Sequence, residues 1–266
     1  MLLAIDIGNS SIGIGVFDGD ALTLTAKLSA DTKRSADEYA VVIRGLLSEQ
    51  GISPADITAA AISSVVPKLT HTMEKALAWR DLPIPIPTLT VGGGVKTGIS
   101  LRVDDPATLG ADIVTNAAAA VKRYGAPVLV VDVGTATVIS CVNEQKSLVG
   151  VAISPGPVSA EEGLRRSAAL IPYAELSRSA GSLGKNTPAA LRAGIVTGHA
   201  CMIDGMITRI LEEYRLPETT PVVVTGGLAP LVLAECRHPM TYEGELTLWG
   251  LYHIHTATVA TKTKKG

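Results

Sequence analysis

Two short stretches carry an acid, a glycine and hydroxyl or amide residues in one order: "DIGNS", Asp6 to Ser10, and "DVGTAT", Asp132 to Thr137. Each follows an apolar run and precedes a second one, so each reads as a hairpin whose first strand ends in a carboxylate. Glycine at Gly8 and Gly134 lets a phosphate approach the backbone, while N–H groups and the side chains of Asn9, Ser10 and Thr135 donate hydrogen bonds. A carboxylate at such a turn can hold Mg²⁺ directly or through water. Either copy alone also reads as a plain hairpin turn. Aligned on their aspartates, the copies place Asn9 on Thr135 and Ser11 on Thr137, 126 residues apart in a chain of 266. A repeat at about half the chain length points to two similar halves.

Two further pieces fit phosphoryl transfer. "TGGLAP" puts Gly226 and Gly227 after the apolar run "PVVV", a turn open enough for close approach to adenosine, although alone it is only a strand-to-helix turn. "LGADIVTN" places Asp112 after Gly110 and Ala111 in an otherwise apolar helical stretch. A carboxylate there suits a general base that deprotonates an acceptor hydroxyl. It also suits a first-turn acid favoured by the helix dipole. The chain contains no G-x-x-x-x-G-K-[ST] loop and no kinase glycine loop.

The elements that must carry these residues alternate along the chain. "AAAISSVVP" predicts a strand and Lys68 to Ala78 an amphipathic helix. "DPATLGADIVTNAAAAVKRYG" predicts one helix capped by Asp105, opened by Pro106 and stopped by Gly125. Helical segments follow over Thr187 to Glu213, then a buried strand at "PVVVTGG" and a last helix through "LTLWGLYHIHTA". "LPIPIPTLTVGGGVKTG" reads as an extended connection into a glycine loop, and the tail "TKTKKG" as disordered. The expected fold is α/β: two lobes, 1–125 and 126–266, around a nucleotide cleft.

Composition narrows the setting. A net charge of −2 gives no electrostatic case for nucleic acid or an anionic membrane. With aromatics at 3%, the core must come from Val, Ile, Leu and Ala, residues that suit sheets covered by helices. Three cysteines without a C-x-x-C pair argue for a reducing compartment and against structural zinc. No run approaches the roughly 20 apolar residues of a membrane span, and the N-terminus lacks a signal-peptide pattern. The expectation is a cytoplasmic protein. His253 and His255 alternate within a helical stretch and make a poor metal pair.

The ordered set "DIGNS", "SADEYA", "ISSVVP", "GGGVKTG", "DPATLGAD", "DVGTAT", "ISPG", "GKNT" and "TGGLAP" resembles the type III pantothenate kinases from Met1 to about Tyr252. These belong to the actin, sugar-kinase and heat-shock-ATPase superfamily. The resemblance implies a duplicated actin-like (ribonuclease H-like) fold, a homodimer, and ATP-dependent phosphorylation of pantothenate at the entry to coenzyme A synthesis. It implies ATP phosphate contacts at Asp6, Gly8, Asn9, Ser10, Asp132, Gly134, Thr135, Gly226 and Gly227. Asp6 would serve Mg²⁺, and Asp132 an activating K⁺ or NH₄⁺. Asp112 matches the catalytic base. Gly110, Ala111, Thr187, Lys96, Thr97 and Gly98 match positions at or near the acceptor pocket.

One position departs from the pattern. Where the family carries Gly-x-Asp-Arg, with the arginine on pantothenate, this chain has Ile113. The usual aromatic residue before the Asp-Pro motif is absent, with Val103 nearby, and Asp105 replaces the common asparagine. The phosphate half of the pattern is intact and the acceptor half altered. Two alternatives therefore stand beside pantothenate: a kinase for another hydroxylated metabolite, or a non-catalytic regulatory or accessory relative.

Overall fold

The computed structural model describes residues 1–79 and 86–263. The proline-rich connection expected from Leu82 lies outside them as far as residue 85, as do the last three residues of the tail. The chain forms two compact units. The first gathers Met1–Ile99, Asp105–Ala119 and Leu246–Gly266, and the second Ser100–Asp104 and Ala120–Glu245.

In the first unit, β1 (Leu2–Ile7), β2 (Ser11–Asp18), β3 (Ala21–Ser29), β4 (Ala59–Ser64) and β5 (Thr88–Thr90) form a sheet in the order β3-β2-β1-β4-β5. β1 runs antiparallel to β2 and parallel to β4, with Asp6 in register with Ser63. Helices α1 (Ala36–Glu49) and α2 (Pro67–Ala76) cover one face. There Leu3, Ile5 and Ile7 pack with Tyr39, Ile43, Leu69 and Met73. Sheets covered on both faces need near-continuous apolar strands, which is why β1 reads "LLAI" rather than alternating with polar residues. α1 starts in a capping box: the Glu38 N–H donates to Ser35 Oγ at 3.2 Å, and the Ser35 N–H to Glu38 Oε2 at 2.7 Å.

The helix α3 (Ala111–Tyr124) begins later than its sequence predicts. Asp105 caps only a single 3-10 turn, Pro106–Thr108, through the Ala107 N–H at 3.1 Å. Leu109 then turns extended, with φ −71° and ψ 134°, and a separate helix starts after Gly110. Gly125, at φ 83°, ends it in the left-handed conformation that favours glycine.

The second unit repeats the plan. β6 (Ser100–Leu101), β7 (Val128–Val133), β8 (Ala136–Val142), β9 (Ser147–Pro155), β10 (Val222–Thr225) and β11 (Thr241–Tyr242) lie in the order β11-β10-β7-β8-β9-β6. Again the first strand of the hairpin, β7, is antiparallel to its partner β8 and parallel to a later strand, β10. Asp132 is in register with Thr225. Among the helices, α4 is Pro157–Ser167 and α7 is Ala229–Leu233. The stretch expected as helical from Thr187 to Glu213 is α5 (Thr187–Arg192), a π-turn at Ala193–Thr197 and α6 (Gly198–Glu213). Leu129, Val131 and Val133 pack under α6 with Ala200, Ile203 and Ile207.

The last helix, α8 (Leu246–Thr263), returns to the first unit and runs into the tail expected as disordered. Leu248, Leu251 and Ile254 cover the second face of the first sheet, over Leu2, Ala4, Ala61 and Val91, together with Ala118 of α3. α8 and α3 touch backbone to side chain. A β-carbon on Gly250 would meet Thr115 Cγ2 at 2.6 Å, so only glycine permits this approach. The Thr247 hydroxyl donates to Asn116 Oδ1 at 2.7 Å at the same contact.

Candidate active site

Parallel strands of an α/β sheet point their C-terminal ends at the usual ligand side. In the first unit, β1 delivers half-buried Asp6 to that end, and the turn Gly8–Ser10 follows it. The Gly8 N–H donates to the Ser11 carbonyl at 2.9 Å, closing the turn, and the Ser10 carbonyl accepts from Ala30 N–H at 3.1 Å. Asn9 and Ser10 are exposed.

Asp112 comes to this same end of the first unit. The Val65 N–H, just beyond β4, donates to the Ile7 carbonyl at 3.0 Å. Val65 Cγ1 would lie 3.1 Å from a β-carbon on Gly110, and the Asp112 carboxylate occupies that β-carbon's space. Gly110 is thus required by its neighbours, because any side chain would displace the acid two residues on. The Ile113 N–H donates to Asp112 Oδ1 at 2.8 Å. Asp112 also stands in the first helical turn, where a carboxylate faces the positive end of the helix dipole. Burial raises its pKa above the ordinary carboxylate value, against the opposing pull of the Ile113 N–H and its own N–H. Ile113 itself is buried, with 8% of its surface exposed. Ala111 and Val95 pack against one cluster, which ties the glycine loop carrying Lys96, Thr97 and Gly98 to the start of α3. Lys96 is exposed, and the Thr97 hydroxyl donates to the Ile99 carbonyl at 3.3 Å.

In the second unit, Asp132 is the last residue but one of β7, and Gly134 and Thr135 lie in the turn. Gly226 stands beside them at φ 99°; a β-carbon there would lie 2.6 Å from Asp132 Oδ1. The Leu228 N–H donates to the Val133 carbonyl at 3.1 Å, which fixes the Gly226–Gly227 turn on the end of β7. The sequence reading missed two residues here. The Gly156 N–H and the Ser159 hydroxyl both donate to the Thr135 carbonyl, at 3.0 and 2.7 Å. Gly156 closes "ISPG", so a Gly-Pro helix start was the available signal. Thr187 lies elsewhere in this unit, on a largely apolar cavity of about 510 Å³ lined by Leu164, Ile171, Leu191, Ile195 and His199.

The two hairpins differ by one residue. Ile7 pairs with Ile12 across a four-residue turn, whereas Val133 pairs with Thr137 across three. Strand pairing therefore matches Thr137 with Ile12, and Ala136 with Ser11, which corrects the ungapped alignment beyond the turn. Burial agrees: Thr137 is buried like Ile12, and its hydroxyl shares a 2.7 Å hydrogen bond with His199 Nε2.

The sheet order, the repeated hairpins and the helices covering them define the class, the fold of actin-like ATPases and sugar kinases. The activator of 2-hydroxyisocaproyl-CoA dehydratase from Clostridium difficile, solved with bound ADPNP, shares it. Its TM-score is 0.57 over 98% of this chain and 97% of that one, at 12% identity. Within that class, the family model for type III pantothenate kinase matches residues 2–209, and the chain belongs to that family. The type III pantothenate kinase of Shouchella clausii is 40% identical over 96% of this chain and 98% of its own length. That of Bacillus cytotoxicus is 35% identical over the whole of both. Membership makes the protein an enzyme, a kinase that transfers phosphate to an alcohol.

Proposed function

We propose that the protein phosphorylates the primary hydroxyl of pantothenate with ATP, giving 4′-phosphopantothenate and ADP, the first step of coenzyme A biosynthesis. The observation that carries the reading is Asp112: a half-buried carboxylate of raised pKa, held over Gly110 at the sheet end where Asp6 stands. As base, Asp112 takes the hydroxyl proton while the acceptor oxygen bonds to the γ-phosphorus. The bond from that phosphorus to the β–γ bridging oxygen breaks, and ADP leaves. Burial that raises the pKa makes Asp112 a stronger base than an exposed carboxylate.

The turns carrying Asp6, Gly8, Asn9 and Ser10, and Asp132, Gly134 and Thr135, are read as a duplicated phosphate-binding device, one copy in each half, 1–125 and 126–266. Gly226 and Gly227 give the adenosine side close approach. Lys96, Thr97, Gly98, Gly110, Ala111 and Thr187 are assigned to the acceptor. Mg²⁺ fits the donors at Asp6, which are hard oxygens. Mg²⁺ keeps most of its ligands as water and phosphate oxygens, so a single carboxylate is enough to hold it. Bound there, Mg²⁺ neutralises developing phosphate charge. Asp132 supplies a carboxylate oxygen, the ligand type that K⁺ or NH₄⁺ takes.

Exposed Ile153, Leu164, Leu170, Tyr173 and Leu183 of the second unit support a homodimer. A cytoplasmic setting is supported by the three free cysteines; no helix among the described residues is long and apolar enough to cross a membrane. Incubation of the purified protein with ATP, Mg²⁺, K⁺ and pantothenate should yield ADP and 4′-phosphopantothenate in equal amounts. A folded protein that forms neither refutes the reading. Buried Ile113 beside Asp112 favours one second reading, a kinase for a different hydroxylated metabolite.

A further inference from the structure

Ser63 and Ser64 are adjacent and chemically identical, yet their hydroxyls are treated in opposite ways. Ser64 Oγ accepts from the Val66 N–H at 3.1 Å and from the Thr70 hydroxyl at 2.6 Å, and so ties β4 to the start of α2. Ser63 is fully buried, and its Oγ has no hydrogen-bond partner among the described residues. A buried hydroxyl without a partner is destabilising, and alanine would fit the same space without that penalty. The strand is otherwise made that way: Ala59, Ala60, Ala61 and Ile62 precede Ser63.

The register shows what the hydroxyl faces. Ala4 and Ala61 pack in one cluster on one face of the sheet. Two residues further along each strand, Asp6 and Ser63 emerge on that face, in register with each other. Neighbouring strands lie about 4.8 Å apart, so rotation about χ1 brings Ser63 Oγ within reach of the Asp6 carboxylate. We propose that Ser63 is a positioning residue, whose hydroxyl donates to the Asp6 carboxylate when Mg²⁺ and nucleotide occupy the site and fixes the rotamer that serves the metal. This rests on the assignment of Mg²⁺ to Asp6.

The test uses the full chain, with calorimetric titration of ADP in Mg²⁺ or in EDTA and thermal unfolding without ligand. Ser63→Ala should leave the ligand-free Tm unchanged or raised and weaken ADP binding in Mg²⁺ by about tenfold or more. Binding in EDTA should not change. Ser63→Cys, a poor donor of similar size, should behave the same way. Ser64→Ala should do the reverse, lowering Tm while leaving ADP affinity intact. A ligand-free Tm that falls in Ser63→Ala as it does in Ser64→Ala, or unchanged affinity for ADP in Mg²⁺, overturns the inference. If the wild-type protein binds ADP no more tightly in Mg²⁺ than in EDTA, the assignment of Mg²⁺ to Asp6 falls, and the role of Ser63 with it.

Discussion

The Asp112 carboxylate folds back over Gly110 and fills the space that a β-carbon would take there. The pair works as a unit: glycine gives the acid its place, and the Ile113 N–H holds it there at 2.8 Å. Asp112→Asn keeps the shape and removes the base. Steady-state assays should show turnover down by about 10²-fold or more, with Tm unchanged or higher. A near-normal rate would remove Asp112 from the base role.

The same residue sets a pH dependence. Burial raises its folded-state pKa above the unfolded value. The stability it contributes is therefore complete below the unfolded pKa and lost as pH rises through the folded one. Thermal unfolding across the acid range should show Asp112→Asn gaining on the wild-type protein from low pH toward neutral. The acid limb of kcat/KM should lie above the ordinary carboxylate range. Coincidence of that limb with an unshifted carboxylate would contradict the assignment.

His199 works in the opposite direction. Burial lowers its pKa, so its contribution is present above the unfolded value of 6.5 and is lost as pH falls through the folded one. His199→Gln should lose less Tm than the wild-type protein between neutral pH and pH ~5.

Gly226→Ala meets two obstacles, a φ of 99° and the Val133 backbone. Strain of this kind costs about 1–3 kcal/mol. Chemical denaturation should detect it, and nucleotide affinity should fall because Asp132 is displaced.

Ile113→Arg supplies the guanidinium that the family pattern carries. A charge-assisted hydrogen bond is worth about 1.5–3 kcal/mol, so KM for pantothenate should fall about tenfold or more. An unchanged KM would favour the second reading, a kinase for another acceptor.

What could be read from the sequence is what local chemistry dictates. β1 and β7 are apolar runs ended by an acid and a glycine, so their location and their turns follow from residue type. The break before Gly110 was not legible, because Asp105-Pro106 is equally good at starting a full helix and a single 3-10 turn. The missing residue in the second turn was hidden by chance similarity: Ser11 and Thr137 look equivalent until strand pairing places Thr137 opposite Val133. The contrast between Ser63 and Ser64 depends wholly on what surrounds them. The apolar residues of α8 are spread around the helix among threonines and histidines, so no stripe indicated which sheet it would cover.

That destination of α8 has a consequence for the nascent chain. Leu2, Ala4 and Ala61 are made long before Leu248, Leu251 and Ile254, the residues that cover them. The first unit's sheet is therefore made well before the helix that covers its second face. Until α8 has been made, that face of the sheet is open to water and to other chains, a window in which a chaperone that holds exposed apolar strands has a defined place to bind.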